Sequence, residues 1–427
     1  IILNDVWTRE SDGIETYKPH EVIHITSLLQ IQNSENMTDD MKTLLFNKTI
    51  RLSKKDSLFI VTSPDILISG TTLADAITCQ RQTVIKRNFG LLSQPSIVLN
   101  RGIIIHELFQ KVVRKLITPE TVTKQEHDKD EMNPNLMYDK IMTLFKHGYL
   151  TQLLKKIVVK HKYDVVISDE VELDDFIESL QRQFLPIIET FIFEFLCQDT
   201  ESKLVNVQGH SPLRIKMKDV LKIEEPVDSS IFGIKGIIDM TINTTHGYMP
   251  LEIKTGKNRS LKHATQTLIY ALLLWEKYGV QIDYFWILYL GDMDVSGKDT
   301  GSFSKINSVL NKVDFNEFKR MINFRNTLIN FFDNEYIMES HGNEKDIEDV
   351  LKIPDLLTAG KSTCERQCCC QDVCTVLNRL ERVNKPEFAN TKQESDDPQV
   401  KLSVDSNVLL SGEYVNQLLG SLSHKDL

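Results

Sequence analysis

The chain has 427 residues, 41 % of them hydrophobic, and a formal net charge of −10. That length points to two or three domains with enough apolar material for a core. The acidic balance argues against a nonspecific polybasic nucleic-acid binder but leaves room for a local basic groove, and no apolar run reaches the ~20 residues of a membrane span.

The chain opens "IILNDVWTRE", without an initiator Met or a signal sequence, and is read as an internal fragment of a longer protein. Residues 1–70 read as β. "EVIHITSLLQI" and "SLFIVTSPDILISG" are rich in β-branched residues and broken by Ser, Pro, Asp and Gly, which predicts a small barrel or sheet. "SGTTLADAITCQRQTVIKRNFG" (69–90) predicts one capped helix with Cys79 inside it. A second helix is expected over 100–117, with His106 in its first half. Residues 119–135 are polar and read as a loop. Helices resume after it, and 173–197 predicts a long amphipathic helix bent near Pro186. The basic stretches "RQTVIKR" (81–87) and "LKKIVVKHK" (154–162) are either solvated helix faces or part of a basic groove.

The pattern then switches to strands. "LRIKMKDVLKIEE", "FGIKGIIDMTINTT" and "GYMPLEIKTGK" predict three in succession. A helix over 260–279 ending at Gly279, a buried strand in "VQIDYFWILYLGD" and a helix over 314–335 follow. Residues 384–399 read as a polar linker, and "VKLSVDSNVLLSG" as the first strand of a further β domain.

Five of the seven cysteines lie in "TCERQCCCQDVC" (363–374); the others are Cys79 and Cys197. Without a secretory signal, such crowding favours a metal site over a disulfide framework. Cys197, at the end of a long apolar helix, reads as buried packing. "AGKST" (359–363) lacks the earlier glycine of a phosphate-binding loop, since Asp355 stands there.

Asp239 closes the apolar strand "GIKGIID", and the next strand carries Glu252 and Lys254. Strand side chains alternate, so Glu252 and Lys254 share a face while Ile253 points into the core. Two carboxylates and a lysine suit metal-assisted phosphodiester hydrolysis, with Mg²⁺ or Mn²⁺ on hard oxygen ligands. Alone, so short a pattern more often describes a surface Asp and a Glu–Lys pair on a solvated strand face.

The surrounding motifs narrow this. Gly102-Ile-Ile-Ile-His106, "IEEP" at 223–226, Gly236-Ile-Ile-Asp239, Glu252-Ile-Lys254 and Gln266-Thr-Leu-Ile-Tyr270 occur in this order. Across residues 70–380 this resembles the RecB-like branch of the PD-(D/E)XK nucleases. The resemblance implies an α/β fold with a restriction-endonuclease-like core, a mixed sheet flanked by helices, preceded by the small β-barrel. It implies His106, Asp239 and Glu252 as ligands of Mg²⁺ or Mn²⁺, Lys254 as the catalytic lysine, and Glu224 or Glu225 as a further acidic residue, with Glu224 preferred. Gln266 and Tyr270 would pack behind the site and contact the DNA backbone. One subset of these nucleases binds a [4Fe–4S] cluster through a cysteine before the core and three after it. By that resemblance the ligands would be Cys79, Cys364, Cys368 and Cys374. Three residues separate Cys364 from Cys368, one more than the family spacing, so a register that uses Cys370 stays open.

"LISGTTLADAITCQRQTVIKR", "RGIIIHELFQ" and "MPLEIKTGK" are similar to the eukaryotic replicative helicase–nucleases. That similarity implies a barrel at 1–70, a nuclease domain with a cysteine-ligated cluster at 71–383, and the start of a further β domain at 384–427. It implies cleavage of single-stranded DNA at 5′ flaps and resected ends, a helicase in the full-length chain, a single-strand-binding protein as partner, no membrane, and the nucleus as compartment with the mitochondrion as a second. The alternatives are a stand-alone exonuclease V-like enzyme and a non-catalytic DNA-binding module holding zinc.

Overall fold

A computed structural model describes residues 58–88, 96–117, 148–169, 172–197, 202–293 and 304–332, with short pieces at 2–3, 23–27, 51–52, 141–142, 145–146 and 354 and within 368–377. Contacts group the chain into two units, one of residues 1–78 and 94–350, the other of 79–93 and 351–427. The expected loop at 119–135, the linker at 384–399 and the strand from 400 lie outside the described residues.

In the first unit, β1 (Ile2–Leu3) pairs with β3 (Arg51–Leu52), and β2 (Ile23–Ser27) with β4 (Leu58–Thr62). Closure of these strands into a barrel lies outside the described residues. β5 (Ile68–Ser69) leads into α1 (Gly70–Thr78). The expected single helix over 69–90 is in fact two, because the chain breaks at Cys79 before α2 (Gln80–Asn88). The Cys79 side chain causes a new start: its Sγ accepts the Gln82 N–H at 3.3 Å, as an N-cap oxygen would.

The helical layer comprises α3 (Ile97–Ile117), α4 (Tyr149–Lys160), α5 (Lys162–Asp169) and α6 (Leu173–Phe191). Pro186 lies inside α6, which ends in a π turn over Ile192–Leu196. Among the described residues no helix is long and apolar enough to cross a membrane.

A β-rich half follows: β6 (Lys203–Val205), β7 (Leu213–Ile215), β8 (Met217–Ser229), β9 (Ile234–Thr244) and β10 (Gly247–Lys254). After it come α7 (Leu261–Tyr278), β11 (Tyr284–Met293), β12 (Ile306–Lys312) and α8 (Phe315–Phe332). Ser260 caps α7 by accepting the Lys262 N–H, and Gly279 ends it at φ 63°.

The central mixed sheet runs β12-β11-β10-β9-β5, with β8 also on β9. β10 and β11 are parallel, β9–β10 and β8–β9 antiparallel. Met249, Leu251 and Ile253 of β10, with Trp286, Leu288 and Leu290 of β11, join α3, α4 and α6 in one core. Cys197 is buried there too. α7 packs against α1, β10 and β11.

β9 explains where a site can form. β8 follows it from Ile234 to Thr244 on one edge. On the other edge β5 pairs with Ile234 and Lys235, and β10 with residues 240 to 244. Residues 236–239, the Gly-Ile-Ile-Asp motif, therefore occupy a split between β5 and β10.

Candidate active site

The split is closed by side chains rather than by a strand. Asp239 Oδ2 accepts the Ile253 backbone N–H at 2.8 Å. The Asp239 carboxylate thus continues the β9–β10 ladder beyond its last backbone pair, Leu251 with Met240. At the other end Tyr270 of α7 covers Gly236. A Cβ on Gly236 would lie 2.5 Å from Tyr270 Cε1, and one on Gly70 3.1 Å from the same atom. The glycine of one motif and the tyrosine of another are thus two halves of one contact.

Six predicted residues converge here. His106 Nδ1 of α3 lies 3.4 Å from Asp239 Oδ1. Burial disfavours a charged imidazole, but the charge and hydrogen bond of Asp239 outweigh it and raise the His106 pKa. Glu252 is 3 % exposed. Its Oε1 accepts Lys254 Nζ at 2.7 Å, while its Oε2 is buried with no hydrogen-bond partner. Burial, and then the charge of Asp239, raise its pKa against the pull of Lys254. Lys254 Nζ also donates to Gln266 Oε1 at 2.9 Å, and Gln266 Nε2 donates to the Tyr270 hydroxyl at 3.0 Å. Gln266 and Tyr270 are buried behind the lysine, with their polar atoms turned to it and to each other.

The chain turns sharply after Lys254. A Cβ on Gly291 of β11 would meet Gly256 C at 2.6 Å and Lys257 N at 2.8 Å. Only a residue without a side chain lets this loop lie so close to the sheet.

The two candidate acidic residues part company. Glu224 has φ 50°, in the left-handed region that disfavours a side chain. It is half-exposed and pairs with Arg114 of α3 at 3.3 Å. Glu225 is buried against α7, where Lys277 Nζ lies 2.7 Å away and the Tyr278 hydroxyl donates at 2.9 Å. The register sets Glu224 between Ile223, opposite Met240, and Glu225, opposite Ile238, and so across from Asp239.

Among the described residues no three His, Cys, Asp or Glu side chains are gathered as a metal site. The carboxylates are instead turned to protein donors, Asp239 to Ile253 and Glu252 to Lys254. The donor set nonetheless fits a hard divalent cation. The orphaned Glu252 Oε2 and the mutual repulsion of two carboxylates are what such an ion relieves.

The second unit carries thiols. Besides Cys79, Cys368, Cys370 and Cys374 are described; Cys364 and Cys369 lie outside the described residues. Arg81, fully buried, donates from Nε to Cys374 Sγ at 3.3 Å and from Nη1 to the Pro354 carbonyl at 2.9 Å. Cys370 is buried with its Sγ 3.9 Å from the Gln82 carbonyl. N–H donors are thus aimed at the sulfurs of Cys79 and Cys374, and sulfur is a ligand suited to soft metals.

The family model for DNA replication factor Dna2 matches residues 1–244, more than half of the chain. The chain is 27 % identical over 376 residues to DNA replication ATP-dependent helicase/nuclease DNA2 of Saccharomyces cerevisiae, covering 86 % of this chain and 21 % of that protein. The protein of the same name from Gallus gallus is 30 % identical over 248 residues, covering 55 % and 22 %. That from Homo sapiens is 27 % identical over 249 residues, covering 52 % and 20 %. The chain spans about a fifth of the length of these relatives. The chain belongs to the DNA replication factor Dna2 family.

Proposed function

We propose that the chain is the nuclease part of a helicase–nuclease of DNA replication and repair. It would hydrolyse single-stranded DNA at flaps and resected ends on a PD-(D/E)XK core, preceded by a small barrel in 1–70 and followed by a β domain from 384. Its compartment would be the nucleus, and a single-strand-binding protein a partner. The observation that carries this reading is the split in β9. It places one carboxylate, Asp239, beside His106 and next to a buried carboxylate–lysine pair.

His106, Asp239 and Glu252 would hold a divalent cation, Mg²⁺ or Mn²⁺. When bound, the ion neutralises phosphate charge and makes a bound water a better nucleophile at neutral pH. Lys254 has three N–H donors, and Glu252 and Gln266 take two of them. The third is left for the attacking water or for a phosphate oxygen. Gln266 fixes the lysine, and Tyr270 fixes Gln266, so a cation on a flexible stem is held in one place. In the second unit, Cys79, Cys364, Cys368 and Cys374 would bind a [4Fe–4S] cluster. The crowding of thiols and the donors aimed at two of them support this.

Asp239→Asn is the direct test. Cleavage of 5′-tailed single strands in Mg²⁺ should fall by two orders of magnitude or more, on the order of losing one charge-stabilising group, with the urea midpoint little changed. Equal cleavage by variant and wild type would overturn the nuclease reading. About four irons per chain in anaerobically purified protein, falling in Cys79→Ser, is the result expected of the cluster. One zinc in their place would overturn it.

A further inference from the structure

His263 has no part in the chemistry described so far, yet it stands on the same helix face. His263, Gln266 and Tyr270 follow one another at spacings of three and four along α7. The lower two reach Lys254 and the split in β9. His263 is one turn nearer the open end and is only partly buried. Its ring lies against Tyr289, with centroids 5.8 Å apart, and its Nδ1 is 3.4 Å from the Tyr289 hydroxyl. Tyr289 is the partner of Lys254 in the parallel β10–β11 register. The imidazole therefore lies on the lysine's side of the site and is partly exposed.

The contacts around the ring are compatible with a proton on Nε2. The Tyr289 hydroxyl takes a backbone hydrogen bond from Ser260. Its own proton can go to His263 Nδ1, and the ring proton is then on Nε2. Burial, with the positive charges of Lys254 and Lys262, holds the ring neutral, with a pKa pushed down to about 4. A ring in this state is a donor from Nε2. In this tautomer its lone pair, at Nδ1, faces the Tyr289 hydroxyl.

Lys254, paired with Glu252, and Lys262, paired with Asp75, lie close enough to act on the ring, and Arg259, bonded to Asn307, acts on Tyr289 beside it. An N–H donor within such a group of cations matches the oxygens of an anionic backbone.

We infer that His263 is a substrate-contact residue that donates from Nε2 to a non-bridging oxygen of a DNA phosphate at, or adjacent to, the one being cut. The inference rests on the nuclease reading. It concerns placement of the strand, not activation of water.

The test uses the full-length protein carrying Asp239→Asn, so that DNA is bound but not cut. A fluorescent single strand has one phosphate at a time replaced by an uncharged methylphosphonate, and binding is followed by anisotropy. At one position the replacement should weaken binding by about tenfold, the scale of one hydrogen bond to a charged group. With His263→Ala added, the same replacement should cost less than about twofold, while costs at other positions stay as they were. His263→Gln, which keeps an N–H near the Nε2 position, should restore most of the dependence. In the cutting enzyme His263→Ala should raise KM more than it lowers kcat and leave the shape of the pH profile between 6 and 9 unchanged. Strictly additive losses at every phosphate, or a His263→Gln variant as defective as His263→Ala, would overturn the inference. If the wild-type protein cuts no single strand at all, the nuclease reading fails first, and that outcome is seen before any variant is made.

Discussion

Gly236→Ala is expected to destabilise the protein through a single contact. The added Cβ would stand 2.5 Å from Tyr270 Cε1 and 3.4 Å from Cδ1 and Cζ, about an ångström inside an ordinary carbon–carbon contact at its closest point. The ring has little room to retreat, because it is 2 % exposed and the same Cε1 lies 3.1 Å from the Cβ position of Gly70. Overpacking of this kind costs about 1–3 kcal/mol, which lowers the folded-to-unfolded ratio by roughly five- to 150-fold. Urea unfolding should show a lower midpoint with an unchanged slope. Tyr270→Leu removes the ring edge, so the double variant should lose less than the sum of the two singles, with an interaction of at least about 1 kcal/mol. Because Tyr270 holds Gln266 and Gln266 holds Lys254, cleavage should also slow in Gly236→Ala. A variant as stable as the wild type to within about 0.5 kcal/mol, or two fully additive substitutions, would refute the proposition that this glycine is required by this tyrosine.

Arg325 of α8 is fully buried and donates to the carbonyls of Thr62, Ser63 and Ile66. Arg325→Leu would strand these acceptors and should cost about 3 kcal/mol or more in urea unfolding; a loss near zero would show that water replaces the guanidinium. Glu225 has its pKa lowered, burial being outweighed by Lys277, Thr241 and Tyr278. A depressed carboxyl pKa contributes stability above its unfolded value of about 4.3, and that contribution is lost as pH falls through the folded value. The stability gap between wild type and Glu225→Gln should therefore be constant near neutrality and shrink below about pH 4. A gap independent of pH down to 3 would contradict it.

Much of the layout can be read from the order of residues. Ser260 and Gly279 mark both ends of α7, and alternation in "MPLEIK" puts Ile253 in the core with Glu252 and Lys254 on the other face. Other features depend on distant partners. β12 carries Asn307, Ser308 and Asn311 among its apolar residues, and it is a strand because it pairs with β11. Periodicity alone continues one helix through Cys79, where the break depends on a sulfur accepting an amide. The choice between Glu224 and Glu225 turns on irregularities between Met217 and Lys222, beyond which alternation buries Glu225, Val227 and Ser229 and leaves Glu224 outside. Gly236 and Tyr270 belong to separate motifs in the sequence, and only the folded chain shows why each needs the other. His263 is not legible in the sequence, because a histidine in a first helical turn carries no pattern of its own.

The amide of Ile253 donates to a side chain, not to a neighbouring strand. One rung of the sheet therefore depends on where the Asp239 carboxylate is turned. Hydrogen exchange at Ile253 should be slow while the carboxylate faces the backbone and faster when other chemistry draws it away. The whereabouts of Asp239 can thus be followed from inside the sheet, in a protein at rest, without substrate and without turnover.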